Sequence, residues 1–170
     1  STMLRRALGA SIPEVIALAS DPRFLTGIVP SANVVSNAWE LCAFYECLLR
    51  DGELDGVRVF DPRTVRHVTN EQSYREIDLT LFAPLRYGSG LMLGDRPVGI
   101  FGPNTPRAFG HLGFSNIFAW ADPARQLSVA LLTRGKPVIS THVVRLFQLL
   151  MEINRLPESP HSRDYVPPVA

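Results

Sequence analysis

Apolar positions along this chain follow a helical spacing near both ends and an extended one between. Leu41, Phe44, Tyr45, Leu48 and Leu49 recur at helical intervals, predicting a helix over 37–50 whose wide apolar stripe lies against a core. Asn37 and Glu40 form a capping signature at its start, and Gly52 stands where a C-terminal cap belongs. Upstream, Ser11-Ile12-Pro13-Glu14 has the form of a capping box with proline in the first turn. Val15, Ile16, Leu18 and Ala19 continue it as a short helix that Asp21-Pro22 should end. Asp61-Pro62 opens a third short helix, through about Val68.

From Tyr87 the pattern turns extended. Tyr87 to Leu93, Phe109 to Gly113, Ile117 to Asp122 and Leu127 to Thr133 read as strands bounded by turn residues. The break Asp122-Pro123-Ala124-Arg125 makes Ile117 to Thr133 an antiparallel hairpin. Residues 139–153 then predict an apolar helix, with Val143, Leu146, Phe147, Leu150 and Ile153 on the side that covers the sheet. The expected fold class is α+β, an antiparallel sheet covered by helices. It forms one region over 1–155, and a proline-rich extended tail runs over 156–170.

Composition narrows the partners. Seventeen basic residues face 16 acidic ones, which argues against a nucleic-acid or anionic-membrane partner and for a small molecule. With 46% hydrophobic residues the chain can build a core. No apolar run approaches a membrane span, so the chain is expected to be soluble, a description compatible with the cytoplasm among other compartments. Cys42 and Cys47, five apart on a predicted helix, point to different faces and predict no disulfide.

Most chemical signatures are missing. Tyr87-Gly88-Ser89-Gly90 lacks the glycine spacing of a nucleophile elbow. The single lysine, Lys136, has Thr133 three residues before it, so Ser-x-x-Lys does not occur. His67, His111, His142 and His161 lack metal-ligand spacing, and no phosphate or dinucleotide loop is present, so no cofactor is expected. What remains is Phe109-Gly110-His111-Leu112-Gly113-Phe114-Ser115-Asn116, a histidine between glycines on a predicted strand. Two readings stay open for it. In one, the glycines let a ligand approach the strand closely; in the other, His111 is a partly buried, hydrogen-bonded histidine and the glycines mark a bulge.

Three stretches, in order, resemble the C-terminal portion of the serine β-lactamase and penicillin-binding-protein superfamily. The similarity is to its class C-like branch, which includes β-lactamase-like esterases and D-aminopeptidases. The first stretch runs from Ile28-Val29-Pro30-Ser31-Ala32-Asn33 through helix 37–50 to Asp51-Gly52-Glu53-Leu54-Asp55-Gly56 and Asp61-Pro62-Arg63-Thr64-Val65. The second is Tyr87-Gly88-Ser89-Gly90-Leu91-Met92-Leu93-Gly94. The third is Phe109 to Phe114, followed by Ala119-Trp120-Ala121-Asp122-Pro123 and Leu127 to Thr133.

The resemblance implies the C-terminal part of a β-lactamase-like (DD-peptidase) fold and acyl transfer on an ester, amide or lactam. His111 would occupy the closing-strand position that faces the nucleophile, as a hydrogen-bond donor to a substrate carboxylate or a member of the proton relay. Gly113 would keep the strand flat beside the substrate. The Phe114 N–H would be one of two oxyanion donors, and Ser115 would border that wall. The family's nucleophile Ser-x-x-Lys and Tyr-x-Asn/Ser segments find no match; Tyr87 satisfies Tyr-x-Ser only formally, in a stretch that matches a structural strand. The chain is therefore expected to be inactive alone and to need the remaining half of the same protein or a second copy. Histidine in place of lysine on that strand favours the esterase and peptidase side of the family. The rival expectation is a non-catalytic binding or interaction module that keeps the same fold elements.

Overall fold

A computed structural model describes residues 9–29, 33–79, 81, 83–113, 117–133 and 142–158. The backbone divides into two compact units, Ser1–Ser36 with Ile77–Ala83 and Asn37–Glu76 with Pro84–Ala170. In the first, α1 (Ile12–Leu18) starts where predicted, the Glu14 carboxylate accepting the Ser11 N–H at 2.7 Å. Asp21-Pro22 ends it but also opens α2 (Pro22–Thr26), which the pattern did not predict. The Asp21 side chain accepts the Arg23 N–H at 2.8 Å and proline takes the first turn, so one dipeptide both stops and starts a helix.

Beyond it come α3 (Ala38–Leu49), a hairpin of β1 (Glu53–Leu54) and β2 (Val57–Arg58), and α4 (Pro62–Thr69). Then follow β3 (Ser73–Asp78), β4 (Ala83–Tyr87), β5 (Met92–Leu93), β6 (Val98–Gly99) and β7 (Gly102–Pro103). Strands β8 (Phe109–Gly113), β9 (Ile117–Asp122) and β10 (Leu127–Leu131) lead to α5 (His142–Ile153). The mutual cap of Asn37 and Glu40 starts α3 as read from sequence. Strands β8 and β9 match their predicted bounds, and β10 stops two residues short of Thr133. Residues 139–141 of the predicted last helix and the tail from 159 lie outside the described residues.

The predicted single strand over 87–93 is two strands. Residue Tyr87 ends β4, Gly88-Ser89-Gly90 turns the chain, and β5 returns antiparallel with Tyr87 opposite Met92. A side chain at Gly88 would put its Cβ 2.4 Å from the Val68 carbonyl oxygen, so this glycine lets the turn lie directly on the last turn of α4. The six-stranded sheet has the order β10-β9-β8-β5-β4-β3, and the pairs from β10 through β4 are antiparallel. Pairing sets Phe109 opposite Ala121 and Leu93 opposite Phe109 on one face, where they join Tyr45 and Leu48 of α3 in the core. The other face bears Trp120, stacked on Phe101 at 5.7 Å, while α5 buries Leu150 and packs on β7. Antiparallel sheets with helices make the α+β class that the pattern predicts, but α5 packs on the separate β6–β7 pair, and Phe147, expected on its sheet-covering side, is exposed.

A charged brace holds the loop after β5. Arg75 donates from Nε and Nη2 to the two carboxylate oxygens of Asp95 at 2.8 and 3.0 Å. These bonds hold the Asp95 carboxyl below its usual range, aided by the Arg96 N–H, although partial burial opposes them. A depressed folded pKa stabilises the fold above the unfolded value of about 3.9, and that contribution is lost as pH falls through the lower folded value. We expect urea midpoints to decline with acid more steeply in the parent than in Asp95→Asn. Parallel acid limbs for the two proteins would refute this.

Candidate active-site wall on the eighth strand

Residue His111 lies at the middle of β8, opposite Ala119, and its side chain is exposed. The β8–β9 register runs without interruption from Phe109–Ala121 to Gly113–Ile117, so there is no bulge and His111 is not a buried core histidine. Alternation along the strand places His111 on the same face as Phe109 and Gly113, the face covered further along by α3. Its Nδ1 lies 2.7 Å from the Leu112 carbonyl oxygen. A carbonyl only accepts, so this contact keeps the proton on Nδ1. The neutral ring then presents the lone pair of Nε2 outward, and the charged ring presents an N–H there. Such a nitrogen can take up a proton or, once charged, hold an oxyanion.

The two flanking glycines have different causes. A Cβ at Gly110 would stand 2.2 Å from the Ala119 carbonyl oxygen and 2.5 Å from Trp120 Cα, so Gly110 permits close approach of β9 and not of a ligand. At Gly113 the same atom would stand 3.2 Å from Ile117 Cβ, a tight fit against a side chain on the His111 face. Residues Phe114, Ser115 and Asn116 lie outside the described residues.

Other candidates from the sequence do not gather here. His67 is exposed on α4. Tyr45 is buried in the core, and desolvation pushes its phenol up to about 12, which removes it as a base at neutral pH. Tyr87 is a strand residue paired with Met92, as the family pattern implies. Among the described residues no three His, Cys, Asp or Glu side chains cluster as a metal site, and no helix is long and apolar enough to cross a membrane. Sequence reasoning missed Leu91: continuing the β5–β8 register by one residue sets it opposite His111. The signal was the strand break at Gly88-Ser89-Gly90, which a single extended run concealed.

The chain belongs to the beta-lactamase family, whose model matches residues 3–149. It is 28% identical over 118 residues to the esterase/beta-lactamase LipL of Mycobacterium tuberculosis, an alignment covering 69% of this chain and 26% of LipL. Among solved structures it is similar to EstA from Arthrobacter nitroguajacolicus Rue61a, with TM-score 0.59 and 26% identity over 84% of this chain and 37% of that one. A penicillin-binding protein homolog from Caulobacter crescentus gives 0.55 and 32%, over 66% of this chain and 30% of that one. A family VIII carboxylesterase shares the fold at TM-score 0.55 and 22% identity, over 69% of this chain and 31% of that one. The chain thus spans between a quarter and two-fifths of the length of these relatives.

Proposed function

We propose that this chain forms the closing-strand wall of a β-lactamase-like serine hydrolase that transfers the acyl group of an ester, amide or lactam. The observation that carries the reading is the His111 ring, whose Nδ1 is held by the Leu112 carbonyl while Nε2 faces outward on β8. In the neutral ring Nε2 accepts a proton in the relay around the nucleophile; in the charged ring it holds a carboxylate or oxyanion. In this reading, which for Phe114 and Ser115 rests on the family resemblance, Gly113 keeps the wall flat, the Phe114 N–H is one of two oxyanion donors, the other belonging to the nucleophile, and Ser115 borders that wall. Serine and base come from a segment outside these 170 residues, because Ser-x-x-Lys does not occur within them. The esterase and penicillin-binding-protein relatives support acyl transfer as the class of chemistry.

Intact mass after treatment with a fluorophosphonate should show no adduct on the folded chain; stoichiometric labelling would place a nucleophile inside it and overturn this division of labour. A phosphonate monoester should bind near His111. The substitution His111→Ala should weaken that binding about 10- to 100-fold, the range for a hydrogen bond to a charged group. Equal affinity in both proteins would remove His111 from the site.

A further inference from the structure

An apolar cavity of about 250 Å³ opens on unit Asn37–Glu76 with Pro84–Ala170, between α3, α4 and the β4–β5 turn. Its walls include Phe44, Phe60, Val65, Val68 and Leu91, and Ser89 supplies a polar group. Leu91 ties the cavity to the candidate site: it packs on the core that holds Phe109, and continuing the β5–β8 register one residue beyond Met92–Gly110 sets it opposite His111. The walls are fixed on independent grounds. The β4–β5 turn rests on the end of α4 at Gly88, and the Phe44 and Phe60 rings meet edge to face at 6.3 Å. Beside the turn, Gly90 has open space where a side chain would stand. A dry apolar cavity of about 150 Å³ already holds a benzene ring, so this one has room for a six- to eight-carbon chain or a single ring.

We infer that this cavity receives the hydrocarbon part of the substrate, so that the site selects medium-length aliphatic or single-ring esters and amides whose carboxyl group sits at His111. The inference rests on the proposed role of His111 and adds the specificity of the same site. A cavity with an apolar lining next to a single polar anchor discriminates by chain length, since each buried methylene adds a similar increment until the space is full.

The test titrates the folded 170-residue chain with acetate, butyrate, hexanoate and octanoate, and with the matching straight-chain alcohols, followed by amide and His111 ring shifts in NMR. Affinity should rise about three- to fourfold per methylene up to hexanoate or octanoate in both series, with shifts at Ser89, Gly90 and Leu91. Val68→Phe fills the cavity and should flatten the chain-length dependence; Thr64→Leu, at an exposed position on its rim, serves if Val68→Phe does not fold. The substitution His111→Ala should weaken the carboxylates alone. Chain-length-independent binding, or shifts away from 89–91, overturns the cavity assignment. Chain-length dependence of the alcohols with carboxylates indifferent to His111→Ala overturns the histidine reading and leaves the cavity standing.

Discussion

Replacing Arg125 with alanine should lower stability by about 3–5 kcal/mol, the cost of stranding a buried charge. Asp122 is fully buried, and its Oδ2 receives Arg125 Nη1 at 2.7 Å. The same guanidinium donates to the Asn104 carbonyl at 3.3 Å and the Asn154 carbonyl at 3.1 Å, tying the β9–β10 turn to the loop after β7 and the end of α5. Without it, Asp122 keeps the Ala124 N–H at 2.9 Å and no countercharge among these contacts. The carboxylate must then be desolvated without compensation or take up a proton. Urea denaturation reads the effect as a midpoint lower by more than about 1 M at an ordinary slope. Arg125→Lys should lie between, since an ammonium keeps the charge but lacks the fork that spans three partners. A loss below about 1 kcal/mol in Arg125→Ala would show that the pair barely matters. Because the ion pair lies in the turn joining the two strands after β8, it acts on the proposed site by holding the sheet and touches no reacting group.

The parts of the fold that were legible in the sequence are those whose cause is local. The Asn37/Glu40 cap, the apolar stripe of α3 and the Asp122-Pro123 turn each lie within a few residues, so their pattern survives in one dimension. Strand β3, with sequence Ser-Tyr-Arg-Glu-Ile-Asp, was missed because its side chains are mostly exposed and carry no alternation of apolar and polar. Strand β4 was missed because Pro84 sits in it, a residue that ordinarily argues against a strand. Strands β6 and β7 are two residues each, below any period. In the candidate site, His111 could be found from its glycine-flanked strand. The reason for Gly110 could not, because it is the close approach of Ala119 and Trp120 on the neighbouring strand. The cavity between α3, α4 and the β4–β5 turn was equally hidden, because its walls come from segments about 45 residues apart in the chain.

Trp120→Ala should cost about 3–5 kcal/mol and loosen the strand that carries His111. The indole is fully buried, stacks on the equally buried Phe101 with 18° between ring planes, and stands opposite Gly110 in the β8–β9 ladder. Removing the ring opens a void on the face of the sheet away from α3, next to the β8 backbone that pairs with residue 120. Amide exchange at residues 110–112 should therefore accelerate more than exchange within α3. Trp120→Phe makes a sharper contrast. The indole N–H is buried without a hydrogen-bond partner, so phenylalanine removes an unsatisfied donor as well as some volume. The two effects oppose each other, and the loss should be much smaller than in Trp120→Ala. Fluorescence reports the same side chain, since Trp39 is 84% exposed and Trp120 alone gives blue-shifted emission. If Trp120→Ala left exchange at 110–112 unchanged, the ring would be filler, and His111 would owe its position to the ladder hydrogen bonds alone.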